Sequence, residues 1–151
     1  MQIEMVIKGL MVDPVTSMPI IILRDREGER VLPIWVGVFE ANAIALQIEN
    51  ISTPRPMTHD LLRNMLADLN ASVQRIVVSD LKDNTFYALI YVLCGEEVIA
   101  IDARPSDAIA LALRTSAPLF VTEEVLKRKS GENLDVWLEK LNPKDFGKYD
   151  T

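Results

Sequence analysis

Hydrophobic and polar positions along this chain change period several times. "QIEMVIKGLMV" reads as a strand by its alternation and apolar content, and Asp13-Pro14 breaks it. "MPIIILRD" and "ERVLPIWV" flank Arg26-Glu27-Gly28, a hairpin with glycine where a positive φ is often needed. "FEANAIALQIE" is a mostly apolar helix. "THDLLRNMLADLN" is an amphipathic one, with Leu62, Met65, Leu66 and Leu69 at i, i+3, i+4 and i+7. Three more strands follow, "SVQRIVVSDL", "FYALIYVL" and "EEVIAID", with a hairpin at Gly95, and then the helix "SDAIALALR". "APLFVTEE" supplies a short strand and Thr122 as the cap of "EEVLKRK". After the linker "KSGEN", "LDVWLEKL" places Leu134, Trp137, Leu138 and Leu141 on one helix face, to pack on its own domain or on a partner subunit.

Aligning the two hairpin glycines, Gly28 and Gly95, sets an offset of 67 (95 − 28). Without a gap, "GERVLPIWVGVFEANAIAL" then lies over "GEEVIAIDARPSDAIALAL", and Glu40 falls on Asp107. The expectation is an α+β fold made of a duplicated β-β-β-α unit, hairpin plus buried helix twice, with the His59 helix as connector. Both repeat helices are apolar nearly all round, so each should be buried on more than one side. The domain is expected over 1–128, with 129–151 as a C-terminal linker, amphipathic helix and tail.

The 151 residues, 49% of them hydrophobic, suffice for one domain with a real core. Cys94 is alone, so no intramolecular disulfide can form. No apolar run approaches the roughly 20 residues of a membrane span. The N-terminus lacks a signal-peptide layout, so a cytoplasmic protein with no membrane contact is expected. The net charge of −6 and pI near 4.8 argue against avid binding of nucleic acid, which rewards a basic stripe. Activity on such a substrate would need local arginines or a bridging metal. Two apolar helices and the Trp137 face point to a homo-oligomer, most simply a dimer.

Candidate chemistry gathers at three helix starts: Glu40; Arg55, His59 and Asp60; and Asp102, Arg104, Ser106 and Asp107. "RPMTHD" and "RPSD" each place arginine before proline, then a hydroxyl residue and an aspartate. One reading is structural. Acids in a first helical turn are favoured by the helix dipole, Thr58 and Ser106 can cap free N–H groups, and Arg104 can pair with Asp102 or Asp107. The other reading is catalytic. Converging carboxylates can hold Mg²⁺ or Mn²⁺, which activates water and steadies a leaving oxygen. Arginine clamps phosphate, and His59, the one histidine, is the acid/base candidate that works near neutral pH. There is no P-loop, GxGxxG, GxSxG or Cys/His zinc spacing, so no organic cofactor is expected.

"LPIWVGVFEANAIAL", "RPMTHDLL" and "IDARPSDAIALALR" followed by "APLFV" closely resemble the bifunctional nuclease family, over roughly residues 1–125. The resemblance implies a duplicated α+β unit and a nuclease acting on DNA and RNA with low specificity. It places Glu40 in the first block, Arg55, His59 and Asp60 in the second, and Asp102, Arg104, Ser106 and Asp107 in the third. The resemblance assigns no individual roles; from the residue types, His59, Asp107 and Glu40 are expected to be catalytic, and Arg55, Arg104 and Ser106 to bind phosphate. Asp102, Asp107, Glu40 and Asp60 would hold the metal. The rival expectation is a non-catalytic oligomeric interaction module, in which the same residues form a buried polar network.

Overall fold

A computed structural model describes residues 1–130, with side chains through 128. The elements in chain order are β1 (Gln2–Val12), β2 (Pro19–Asp25), β3 (Val31–Trp35), α1 (Val38–Ile48), α2 (Thr58–Asp68), β4 (Ala71–Lys82), β5 (Thr85–Cys94), β6 (Glu97–Ala103), α3 (Pro105–Thr115), β7 (Leu119–Thr122) and α4 (Glu123–Ser130). The expected helix carrying Trp137 lies outside the described residues.

The fold is α+β around one seven-stranded sheet, ordered β3-β2-β1-β7-β4-β5-β6. Two antiparallel meanders, β1 to β3 and β4 to β6, are joined edge to edge by the short β7, which runs antiparallel to β1 and parallel to β4. Gly28 and Gly95 both take positive φ, 78° and 63°, at the β2–β3 and β5–β6 hairpins. There a Cβ would be strained, which is why both positions read as turns. The β4–β5 turn uses Asp83 and Asn84, also at positive φ, a signal the sequence reading leaves unmarked. α1 and α3 occupy 38–48 and 105–115, so the offset seen in sequence carries through both helices to their last residues.

α3 is central, as expected: Ala108 to Ala112 are buried without a break, and the helix packs on α1, α2, β4 and β5. Its alanines let those elements approach closely. α1 departs from expectation. Ala41, Ala43, Ile44 and Ala45 are buried, but Val38, Phe39 and Ile48 face solvent. α2 departs further. Of the apolar stripe marked by the i, i+3, i+4, i+7 spacing, Leu62, Met65 and Leu69 are exposed and only Leu66 packs against the core. The residue that α2 buries is His59. Polar contacts from the first turn of α2 to α3 set the rotation of the helix, and they turn the stripe outward.

Candidate functional site

The starts of α1, α2 and α3 converge on one guanidinium and one imidazole. Arg104, the N-cap residue of α3, gives Nη1 to Glu40 Oε1 at 2.9 Å and Nη2 to Asp107 Oδ2 at 2.8 Å. Its Nε adds a second bond to Asp107 Oδ2 at 2.9 Å. The other Asp107 oxygen, Oδ1, lies 2.9 Å from His59 Nε2. Burial pushes the Asp107 carboxyl up, but hydrogen bonds and charge from His59 and Arg104 outweigh this and hold it below the usual carboxylate range. Asp107 is therefore a carboxylate at neutral pH and can only accept, so Nε2 carries the proton of that bond. In the neutral ring Nδ1 is then the basic nitrogen.

Gly37, the N-cap residue of α1, belongs to this arrangement although nothing in the sequence reading singled it out. Its φ of −72° is ordinary, so it is not there for a left-handed turn. A Cβ on Gly37 would instead run into the Glu40 carboxylate, which folds back over the helix start toward Arg104. The signal for it was the offset of 67 itself (104 − 37), which sets Gly37 against Arg104.

Next to His59 in the first turn of α2, Asp60 has a different employment. Its Oδ1 accepts from Arg114 Nε at 2.7 Å and its Oδ2 from the Met57 N–H at 2.9 Å. Burial raises its pKa, and these two partners, with Arg63 adding charge, bring it below the usual range. Arg114 is the residue the sequence reading missed. Its side chain is 2% exposed. It donates to Asp60, to the Ala110 carbonyl and to the Ala43 carbonyl, tying α2, α3 and α1 together. A lone arginine closing an apolar helix was the available signal, and it reads equally well as a helix-end charge.

The remaining candidates sit apart from this cluster. Asp102 is exposed on the edge strand β6, opposite Leu89, and makes no ion pair among the described residues. The pairing of Arg104 expected with Asp102 or Asp107 is with Asp107, and with Glu40 as well. Ser106 is buried in the first turn of α3, and Thr58 is the first residue of α2. The cap positions expected for these two are held by Arg104 and Met57. Arg55 is exposed on the lip of a polar pocket of about 340 Å³ that Arg63, Arg114, Asp60, Thr53 and Gln47 also line. Three arginines against one aspartate make that pocket cationic in a chain of net charge −6.

As arranged, the four carboxylates do not fit a divalent ion. Glu40 and Asp107 meet on the Arg104 guanidinium, Asp60 is committed to Arg114, and Asp102 stands outside. Among the described residues no group of three or more His, Cys, Asp or Glu side chains is placed to hold a metal ion. Nor is any described helix long and apolar enough to cross a membrane.

These features define an α+β domain with an Asp–His pair and a shared arginine at converging helix starts, beside a cationic pocket. The family model for the bifunctional nuclease domain matches residues 21–133, and the chain belongs to that family. An uncharacterized protein of Mycobacterium tuberculosis is 43% identical over 124 residues, covering 82% of this chain and 73% of its own. Bifunctional nuclease 1 of rice (Oryza sativa subsp. japonica) is 27% identical over 109 residues, 70% of this chain and 33% of that protein. Bifunctional nuclease 2 of the same plant is 29% identical over 107 residues, 68% and 33% respectively. The chain thus spans about a third of the plant relatives it matches.

Proposed function

We propose that this domain hydrolyses phosphodiester bonds of DNA and RNA with low sequence specificity. The observation that carries the reading is the 2.9 Å contact between His59 Nε2 and an ionised Asp107, at the same helix start that edges the cationic pocket. DNA has no 2′-hydroxyl, so one mechanism for both substrates cannot use that group, and water is the nucleophile in this reading. His59 Nδ1 takes a proton from that water as its oxygen attacks phosphorus. Asp107 orients the ring and steadies the imidazolium that forms. The bond from phosphorus to the leaving oxygen breaks, and that oxygen takes its proton from solvent. Arg55 holds the phosphate at the pocket lip, and Arg104 faces the charge that builds on the non-bridging oxygens. Glu40 holds Arg104 in place, and Ser106 lies beside it in the first turn of α3. The acidic chain as a whole predicts weak binding that falls with salt.

The test is cleavage of single-stranded RNA and DNA by the purified protein, with and without chelator. Chelator-resistant cleavage is the expected result. Cleavage that chelator abolishes would restore Mg²⁺ or Mn²⁺ as the cofactor, with Arg104 displaced from Glu40 and Asp107. Absence of cleavage in either condition would overturn the nuclease and leave the interaction module.

We further propose that the protein is a homo-oligomer, most simply a dimer. Leu61, Leu62, Met65 and Leu69 stand 41–75% exposed along α2, and Val98, Ile99 and Ile101 line the open edge strand β6. Such a helix stripe and strand edge are surfaces that proteins normally cover. Light scattering at micromolar concentration should report more than one subunit, and Leu62→Lys with Met65→Lys should shift the mass toward monomer. A wild-type monomer would refute this. The matched β-β-β-α order and helix bounds also support an internal duplication. An alignment of relatives in which the halves agree at nothing beyond Gly28 and Gly95 would count against it.

A further inference from the structure

We infer that the cationic pocket edged by Arg55 is an end site, which takes the terminal phosphate monoester of a nucleic-acid strand. The inference rests on the nuclease reading for its substrate, but binding tests it without cleavage. The pocket lies between the end of α1, the α1–α2 connection, the first two turns of α2 and Arg114 near the end of α3. Its volume, about 340 Å³, is at the small end of ligand sites, which run from roughly 300 to 1,000 Å³, and suits a phosphate with its sugar.

Three observations favour a dianionic occupant. First, the charges in the lining do not cancel. Asp60 and the buried Arg114 neutralise each other, and the second Asp60 oxygen is taken by the Met57 N–H. Arg55 and Arg63 make no ion pair among the described residues. Arg63 gives Nε and Nη2 to the neutral Asn64 Oδ1, both at 3.2 Å, and its Nη1 has no hydrogen-bond partner among the described residues. Two positive charges therefore face the pocket in a chain of net charge −6. A phosphodiester carries one negative charge, and a terminal monoester about −1.5 to −2 near neutral pH, so the monoester is the better match. Second, Arg55 is held in advance. Pro54 and Pro56 flank it and restrict the backbone, and Thr53 Oγ1 donates to the Arg55 carbonyl at 2.7 Å. An arginine whose backbone is fixed before the anion arrives loses less freedom on binding. Its side chain has five N–H donors and no partner among the described residues, so it can serve the end phosphate as well as the diester at the lip. Third, the same lining carries Ile51 and Met57, both exposed, an apolar surface for the attached nucleoside that free phosphate cannot use.

The experiment is calorimetry on the full chain with thymidine 5′-monophosphate, thymidine 3′-monophosphate, the methyl ester of each phosphate, and inorganic phosphate. None of the monoesters contains a diester to cleave. At least one nucleotide should bind about tenfold or more tighter than its methyl ester and than inorganic phosphate, and which one does so identifies the strand end. Arg63→Gln should lower that affinity by about tenfold or more and shift the methyl ester by about twofold at most. Melting curves identify a variant that fails to fold, and Arg55→Gln, with the same expected loss for the monoester, then decides. Equal affinity for monoester and methyl ester overturns the end site. So does inorganic phosphate that binds as tightly as either nucleotide, or an unchanged affinity in the folded variant. Monoester-selective binding by a protein that cleaves nothing sustains the end site and removes the nuclease. Cleavage of strands without monoester-selective binding does the reverse.

Discussion

Asp107→Asn is expected to lower cleavage of single-stranded RNA and DNA by about 10²–10³-fold, the scale of a general acid–base contribution. The amide keeps the shape of the carboxylate but not its charge. Its –NH₂ can face His59 Nε2 only if the ring proton moves to Nδ1, which removes the base. The cost in stability should stay near 1 kcal/mol, because the Arg104 partner is 64% exposed and exposed ion pairs contribute about 0–1 kcal/mol. His59→Gln should give a comparable loss of cleavage, and the double variant should lose little more, since the two residues act as a unit. Full cleavage by Asp107→Asn with normal melting would remove the pair from catalysis.

Arg114→Met is expected to be the most destabilising substitution in the helical layer, by about 3–5 kcal/mol, as for removal of one partner from a buried ion pair. Methionine replaces the aliphatic stem but leaves the Asp60 Oδ1 and Ala43 carbonyl oxygens without their donor. For a domain of this size that is a fall of about 10–20 °C in Tm. The same residues set the acid limit. Folded-state pKa values of Asp13, Asp60 and Asp107 lie below the ordinary value. Below about pH 4 the unfolded chain therefore binds more protons than the folded one, and stability drops as pH falls through the folded pKa values. Stability contributed by these groups is complete above the unfolded value. In Arg114→Met the acid-side decline should be shallower, because Asp60 has lost its cation. Urea denaturation between pH 2.5 and 7 measures both effects, and a variant within 1 kcal/mol of wild type would show that the buried arginine does not hold the helices together.

The strands and hairpins were legible because their signals are local. Gly28 and Gly95 mark turns that few other residues can make, and α1 and α3 stand out as runs of alanine and aliphatic residues. The placement of β7 was not legible. Its four residues lie between β1 and β4, and nothing in "LFVT" says that it pairs parallel on one side and antiparallel on the other. The site was half legible. Its residue types at the helix starts stood out, but which acid meets which base depends on how α2 is rotated. Periodicity favours burying Leu62 and Met65; the contacts of His59 with Asp107 and of Asp60 with Arg114 rotate them outward instead. Four acids at helix starts suggested a cation site, and for two of them the cation is Arg104.

That sharing of Arg104 couples two helix starts through a single guanidinium. A phosphate that draws on the Arg104 donors competes with Glu40 and Asp107 together, because one guanidinium serves both helix starts and Gly37 leaves the room for it to do so. A change at the start of α1 or of α3 is thereby felt at the other, through one side chain.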